Sequence, residues 1–320
     1  MEKNDSLNDK LLNILRSQYP QKPQLVNKLV DILNLGKEAI YRRLRGNVSF
    51  TAHEVMLITE KLNIPFNDVI STSDRSRPFS LKVINFISPE KIDYKMKEDY
   101  NQILSEIQDE PDTEYGSAVK MFPDSFHLRF NNISRFYLFK WIYQYSNPGG
   151  IKRFDEISSP EKMKNELIEM MNLHQGIKVA YYILDRMLFQ NFIYDILYFA
   201  SVDLISPHEV KLLKEELFLM IDYIERLAIE GKNELGNEVK LYISNINFET
   251  GFSYLQTSKY KLSLLRCFTF YDVTSMDDQA LKEAKVWIGS LKRSAFFISG
   301  CGELQRVDFF SEQRRIVDSL

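Results

Sequence analysis

Over the first seventy residues the apolar positions fall at helical spacing. Leu7, Leu11, Ile14 and Leu15 follow the i, i+4, i+7, i+8 pattern of an amphipathic helix, with Asp5 and Ser6 available as caps and Pro20 closing the run. Pro23 suits the first turn of a second helix, whose stripe of Leu25, Leu29, Ile32 and Leu33 ends at Asn34, a residue that tolerates the left-handed conformation. Gly36 then opens a third helix over Lys37–Arg45, and Gly46 stands just beyond its end. For the fourth, Thr51 and Glu54 have capping-box spacing and Phe50 can staple onto Val55, with Val55, Ile58 and Leu62 facing inward. Ile64 to Ile70 predicts a short fifth helix.

Beyond residue 80 the helical period continues in longer segments. Pro89–Ile107, Ser125–Tyr145, Pro160–Leu173, Ile183–Ala200, Pro207–Ile229, Asp277–Arg293 and Glu303–Asp318 all read as helices. Three starts, at Ser88-Pro89-Glu90, Ser159-Pro160-Glu161 and Ser206-Pro207-His208-Glu209, place serine as N-cap, proline next and an acid in the first turn. From Glu238 to Val273 the period falls to two, with Val239, Leu241 and Ile243 alternating and tyrosine and phenylalanine enriched. That texture predicts a small antiparallel meander, with Ser294–Ser299 as a further strand. The expected fold is mainly α: an N-terminal five-helix domain over 1–70, a polar linker over 71–80 (STSDRSRPFS), and a helix-dominated α+β domain over 81–320 with a small antiparallel sheet.

Composition adds limits rather than chemistry. The 320 residues are 44% hydrophobic and 27% charged, which suits globular domains and not a disordered chain. Two cysteines, Cys267 and Cys301, cannot frame a disulfide scaffold, and the start MEKNDSLNDK lacks the apolar stretch of a secretory signal, so a cytoplasmic protein is expected. The most apolar stretch, Val179–Val202, is interrupted by Asp185, Arg186, Gln190, Asn191 and Asp195, so no membrane span is expected. Charge changes the picture locally. Lys37, Arg42, Arg43 and Arg45 face only Glu38 within one short helix, in a chain whose net charge is −3. At about 100° per residue Ile40 and Leu44 share the inner face of that helix, while Glu38, Tyr41, Arg42 and Arg45 turn outward. A short helix of this kind fits the major groove of duplex DNA.

The stretch LVDILNLGKEAIYRRLRG, Leu29 to Gly46, resembles the phage-repressor-like helix-turn-helix family, and SFTAHEVMLITEKLNIPFNDVI, Ser49 to Ile70, is similar to that family's fourth and fifth helices. Val30 stands where the family has a small alanine, Asn34 replaces its turn glycine and Gly36 its capping serine. The resemblance implies DNA binding, with Lys37, Glu38, Tyr41 and Arg42 facing bases and Arg45 and Asn47 nearer phosphate. It implies a one-component transcriptional regulator with double-stranded DNA as partner. One such helix seldom suffices, so a homodimer is expected, with the larger domain as its seat and a small-molecule or protein effector left open. An adaptor whose helical head contacts protein is the alternative.

Catalytic signatures are absent or incomplete. His53-Glu54 and His208-Glu209 begin like a zinc-protease motif, but Leu57 and Leu212 occupy the position of the second histidine. Ser88-Pro89-Glu90-Lys91 and Ser159-Pro160-Glu161-Lys162 match S-x-x-K, yet helix capping accounts for them. Gly300-Cys301-Gly302 has no base beside it in sequence. No enzyme, cofactor or metal site is expected. The aromatic run Phe136-Tyr137-Leu138-Phe139-Lys140-Trp141 is expected to be core.

Overall fold

The structure is a computed structural model that describes residues 7–19, 21–62, 64, 69, 95–145, 150, 152–248, 251–266 and 272–320. Two compact units divide the chain, Met1–Ser80 and Leu81–Leu320. The expected linker at 71–80 and the Ser88-Pro89-Glu90 helix start lie outside the described residues, as does most of the expected fifth helix.

In the first unit, α1 (Leu7–Gln18), α2 (Lys22–Leu33), α3 (Lys37–Leu44) and α4 (Ala52–Lys61) follow the apolar stripes. Leu11, Leu15, Leu29, Ile40 and Ile58 are fully enclosed, and Val55 and Phe50 join the same core. Asn34 adopts the left-handed conformation at φ 54° and ends α2, Gly36 starts α3, and Thr51 with Glu54 forms both halves of a capping box on α4.

The larger unit is not a helical body with a small antiparallel sheet, and the chain is not mainly α. One seven-stranded mixed sheet runs through it, in the order β6-β5-β4-β1-β2-β3-β7. Its strands are β1 (Glu114–Val119), β2 (Val179–Asp185), β3 (Glu238–Ser244), β4 (Gly251–Gln256), β5 (Lys261–Arg266), β6 (Asp272–Ser275) and β7 (Ala295–Phe297). β1, β2 and β3 are parallel, and the remaining pairs are antiparallel. Parallel neighbours need crossover connections. Helices α6 (Asp124–His127), α7 (Asn131–Tyr145) and α8 (Glu161–His174) join β1 to β2, and α9 (Leu188–Ser201) and α10 (Pro207–Glu230) join β2 to β3. α5 (Lys95–Glu106) precedes the sheet, α11 (Asp278–Lys292) lies between β6 and β7, and α12 (Glu303–Asp318) closes the chain.

Each departure from expectation has a physical cause. β2 reads VAYYILD and is buried along most of its length with helices on one face and α11 on the other. A strand covered on both sides loses the alternation that marks it in sequence, and its apolar end merged with the helix that follows. α9 therefore starts at Leu188 rather than Ile183. β3 alternates as expected but pairs with β2 and β7, so the meander is β4-β5-β6 only. The single helix expected over Ser125–Tyr145 is two, because the Glu216 carboxylate on α10 accepts hydrogen bonds from the Asn132 and Ile133 N–H groups and caps α7 there. Ser206 caps α10 as the sequence suggests, whereas α8 begins at Glu161 and Ser159 makes no capping bond.

One sheet face, carrying Tyr115, Ser117 and Val119 of β1, looks toward α5, α6 and α8. The opposite face carries Ala118, Ile183 and Tyr254 against Leu281 and Ile288 of α11. Phe136, Phe139, Phe154, Phe192 and Phe199 stack edge to face in the main core, and Trp141 is 2% exposed, so the aromatic run on α7 is packing material.

Candidate nucleic-acid interface and a buried charged cavity

α3 is held from three sides. Ile40 and Leu44 bury its inner face. Arg16 on α1 donates to the Leu44 carbonyl at 3.0 Å, satisfying one of the orphan acceptors at the helix end. Arg43 reaches Glu54 on α4 through Nη2 to Oε1 at 2.9 Å and Nε to Oε2 at 3.2 Å. Glu54 also accepts from the Thr51 N–H at 2.8 Å. Burial opposes ionisation of Glu54, but the Thr51 N–H and the Arg43 guanidinium outweigh it and hold the carboxyl below the usual glutamate range. After the helix, Gly46 takes φ +82°, a conformation that favours glycine, and its N–H donates to the Arg43 carbonyl.

Outward from this frame stand Lys37, Glu38, Arg42, Arg45 and Asn47, all exposed. Among the described residues none of their side chains makes a hydrogen bond or ion pair. Tyr41 is half-buried, with the Arg45 guanidinium 5.9 Å from its ring centre. The six residues singled out from the sequence thus share one surface around α3, and the fourth cation of the cluster, Arg43, is consumed internally.

Glu54 and Glu209, the acids of the two incomplete zinc-protease signatures, are capping residues on α4 and α10. Among the described residues no group of three or more His, Cys, Asp or Glu side chains is placed to hold a metal ion. Cys301 is exposed, and Cys267 lies outside the described residues. No described helix is long and apolar enough to cross a membrane.

The larger unit holds a second locus that the sequence did not reveal. A cavity of about 60 Å³ opens between the β1-β4-β5-β6 half of the sheet and helices α5, α6 and α8. Arg266 on β5 spans two carboxylates on its wall. Its terminal nitrogens meet both Asp124 oxygens at 3.2 and 3.0 Å, and Nε meets Asp272 at 2.7 Å. Burial opposes ionisation of Asp124, but Arg266 and Lys97 outweigh it and keep the carboxyl far below its ordinary range. His174, at the end of α8, sits edge-on to Tyr115 with ring centres 4.5 Å apart, and its Nε2 is 3.3 Å from the Tyr100 hydroxyl. Burial lowers its pKa to about 4 against the opposing pull of Asp124. These residues come from six elements, and only Lys97 with Tyr100 on α5, and Arg266 with Asp272 as direct partners across β5 and β6, lie near each other in sequence.

Comparison of the chain with protein-family models, with curated proteins and with solved structures finds no match to any of them.

Proposed function

We propose that the chain is a DNA-binding transcriptional regulator of the one-component type, acting in the cytoplasm as a homodimer, with α3 as the helix that enters the major groove. The observation that carries this reading is the division of labour among four neighbouring cations. Arg43 is committed to Glu54, while Lys37, Arg42 and Arg45 remain exposed and uncommitted on the outward side. A cationic helix face anchored from behind can approach phosphates and base edges without first breaking internal ion pairs.

On this reading Lys37, Glu38, Tyr41 and Arg42 meet base edges and Arg45 and Asn47 meet phosphate. Arg42 and Arg45 can each engage guanine or a phosphate through paired donors, and the resemblance of residues 29–70 to repressor-like heads supports the same docking. The test is a fluorescence-anisotropy titration of the full chain against random and then selected duplexes at two salt concentrations. Arg42→Ala is expected to weaken binding to a selected site by about 1–3 kcal/mol, and Arg45→Ala to weaken all duplexes alike, with thermal unfolding unchanged. Unaltered affinity in both variants, or binding indifferent to salt, sinks the assignment and returns the head to a protein-contact role.

A further inference from the structure

The cavity of the larger unit has an uneven inventory of hydrogen-bonding groups. Its acceptors are largely committed, since both oxygens of Asp124 and one of Asp272 are taken by Arg266. Its donors are not. Lys97, on α5, lines the cavity with its ammonium, which has no carboxylate within ion-pair distance and no hydrogen bond among the described residues. Ser117 and Ser253 meet oxygen to oxygen at 2.9 Å. One proton suffices to bridge two hydroxyls, and the second can turn to the neighbouring Tyr115 phenol or to an acceptor that enters the cavity. Beside them His174 keeps a buried Nδ1 without a partner.

Charge and size narrow the complement. With His174 neutral, Lys97 and Arg266 balance Asp124 and Asp272, and because Arg266 already spans both carboxylates the Lys97 ammonium is the cation placed to receive an anion. The remaining lining sets apolar Val119, Met121, Phe122, Met170 and Leu264 beside the hydroxyls of Tyr100, Tyr115, Ser125 and Thr274. At roughly 10–15 Å³ for each water, 60 Å³ holds about four to six solvent sites, which suits a compact molecule and not a nucleotide or a lipid chain. We propose that this cavity is a binding site for a small organic monocarboxylate with an apolar body, its carboxylate on Lys97 and the Ser117–Ser253 hydroxyls and its body against Met121, Met170 and Leu264. Burial disfavours the Lys97 ammonium, Asp124 and Asp272 support it only from beyond contact distance, and an incoming carboxylate adds a direct charge-assisted hydrogen bond. Binding at this site is independent of what α3 contacts and is measured without DNA.

The experiment is isothermal titration of the full chain with benzoate and hexanoate, beside benzamide and benzylamine as neutral and cationic counterparts. At least one of the two acids is expected to bind with a Kd of about 1 mM or tighter, and the amide and amine about tenfold or more weaker. Lys97→Met should weaken the acid about tenfold, while Lys97→Arg keeps most of the affinity. Ser253→Ala, which removes a hydroxyl and adds no bulk, should also weaken it. The acid-to-amide ratio on the unaltered protein decides the matter even where a Lys97 variant fails to fold. Equal binding of benzamide, preference for benzylamine, no effect of folded Lys97→Met, or no acid binding at about 10 mM overturns the proposal.

Discussion

His174 illustrates how a single buried side chain can set the acid sensitivity of the larger unit. Its Nε2 faces the Tyr100 hydroxyl, and burial holds Tyr100 well above the usual phenol range, so the phenol keeps its proton. The imidazole is neutral at pH 7 because burial has brought its pKa down to about 4, from an unfolded value near 6.5. Between those values the unfolded chain binds the proton and the folded chain does not. Stability from this residue is therefore intact above about pH 6.5 and declines as pH falls toward 4, by about 2 kcal/mol between pH 7 and 5. His127 is depressed in the same direction, chiefly by burial, and adds to the slope. Asp124, whose carboxyl is also held down in the folded chain, loses its stabilisation in the same direction but only below the ordinary aspartate range, outside this window. Urea unfolding at pH 7 and pH 5 should show the loss in the natural chain and a shallower one in His174→Gln. Equal slopes in the two proteins would remove His174 from this account.

At the scale of elements, α3 and α4 are joined by a pair that separates folding from recognition within one cluster of cations. Arg43 and Glu54 are 15% and 14% exposed in their side chains, between the regimes of surface and buried ion pairs. Arg43→Ala should cost about 2 kcal/mol and lower the unfolding midpoint of the first unit, because Glu54 keeps its Thr51 partner but loses the guanidinium. Arg42→Ala on the exposed side should leave that midpoint in place, and calorimetry of the two variants distinguishes the roles. The elements here were legible in the sequence because their signals are local: apolar stripes, Asn34 and Gly36 at the turn, and Thr51 three residues before Glu54 all act within one or two helical turns. That Arg43, and not Arg42, would turn inward to Glu54 depends on how α4 packs against its neighbours, and no spacing along the chain encodes it. β2 failed for a related reason, since burial of its two faces by distant helices erased its alternation. The break between α6 and α7 depends on Glu216, which is 84 residues from the N–H it caps.

For the whole molecule, the two proposed sites differ in how sequence reaches them. The α3 face is one contiguous segment, whereas Lys97, Asp124, His174, Ser253, Arg266 and Asp272 are gathered by strand order, with β4 hydrogen-bonded to β1 and not to β3. A reading that places β3 beside β4 in one meander cannot assemble that cavity. What the sequence and the α3 surface do permit is a charge balance for the complete regulator. Each copy offers Lys37, Arg42 and Arg45 as uncommitted cations around α3, so two copies on two half-sites bring six. If the base-facing Lys37 and Arg42 displace counter-ions from the groove as the phosphate-bound Arg45 does, at about 0.9 each, the slope of log K against log salt is about −5 for the paired complex and about −3 for a single head. Between 50 and 200 mM salt the paired complex should lose about 10³ in affinity, and selected sites should carry two half-sites about 34 Å apart. Anisotropy titrations over that salt range, with complex mass read by light scattering, test both numbers together. A slope near −3 with one chain per duplex would eliminate the dimer while leaving α3 as the reading helix. A slope near zero would eliminate both, since no arrangement of three uncommitted cations can bind duplex phosphates without releasing ions.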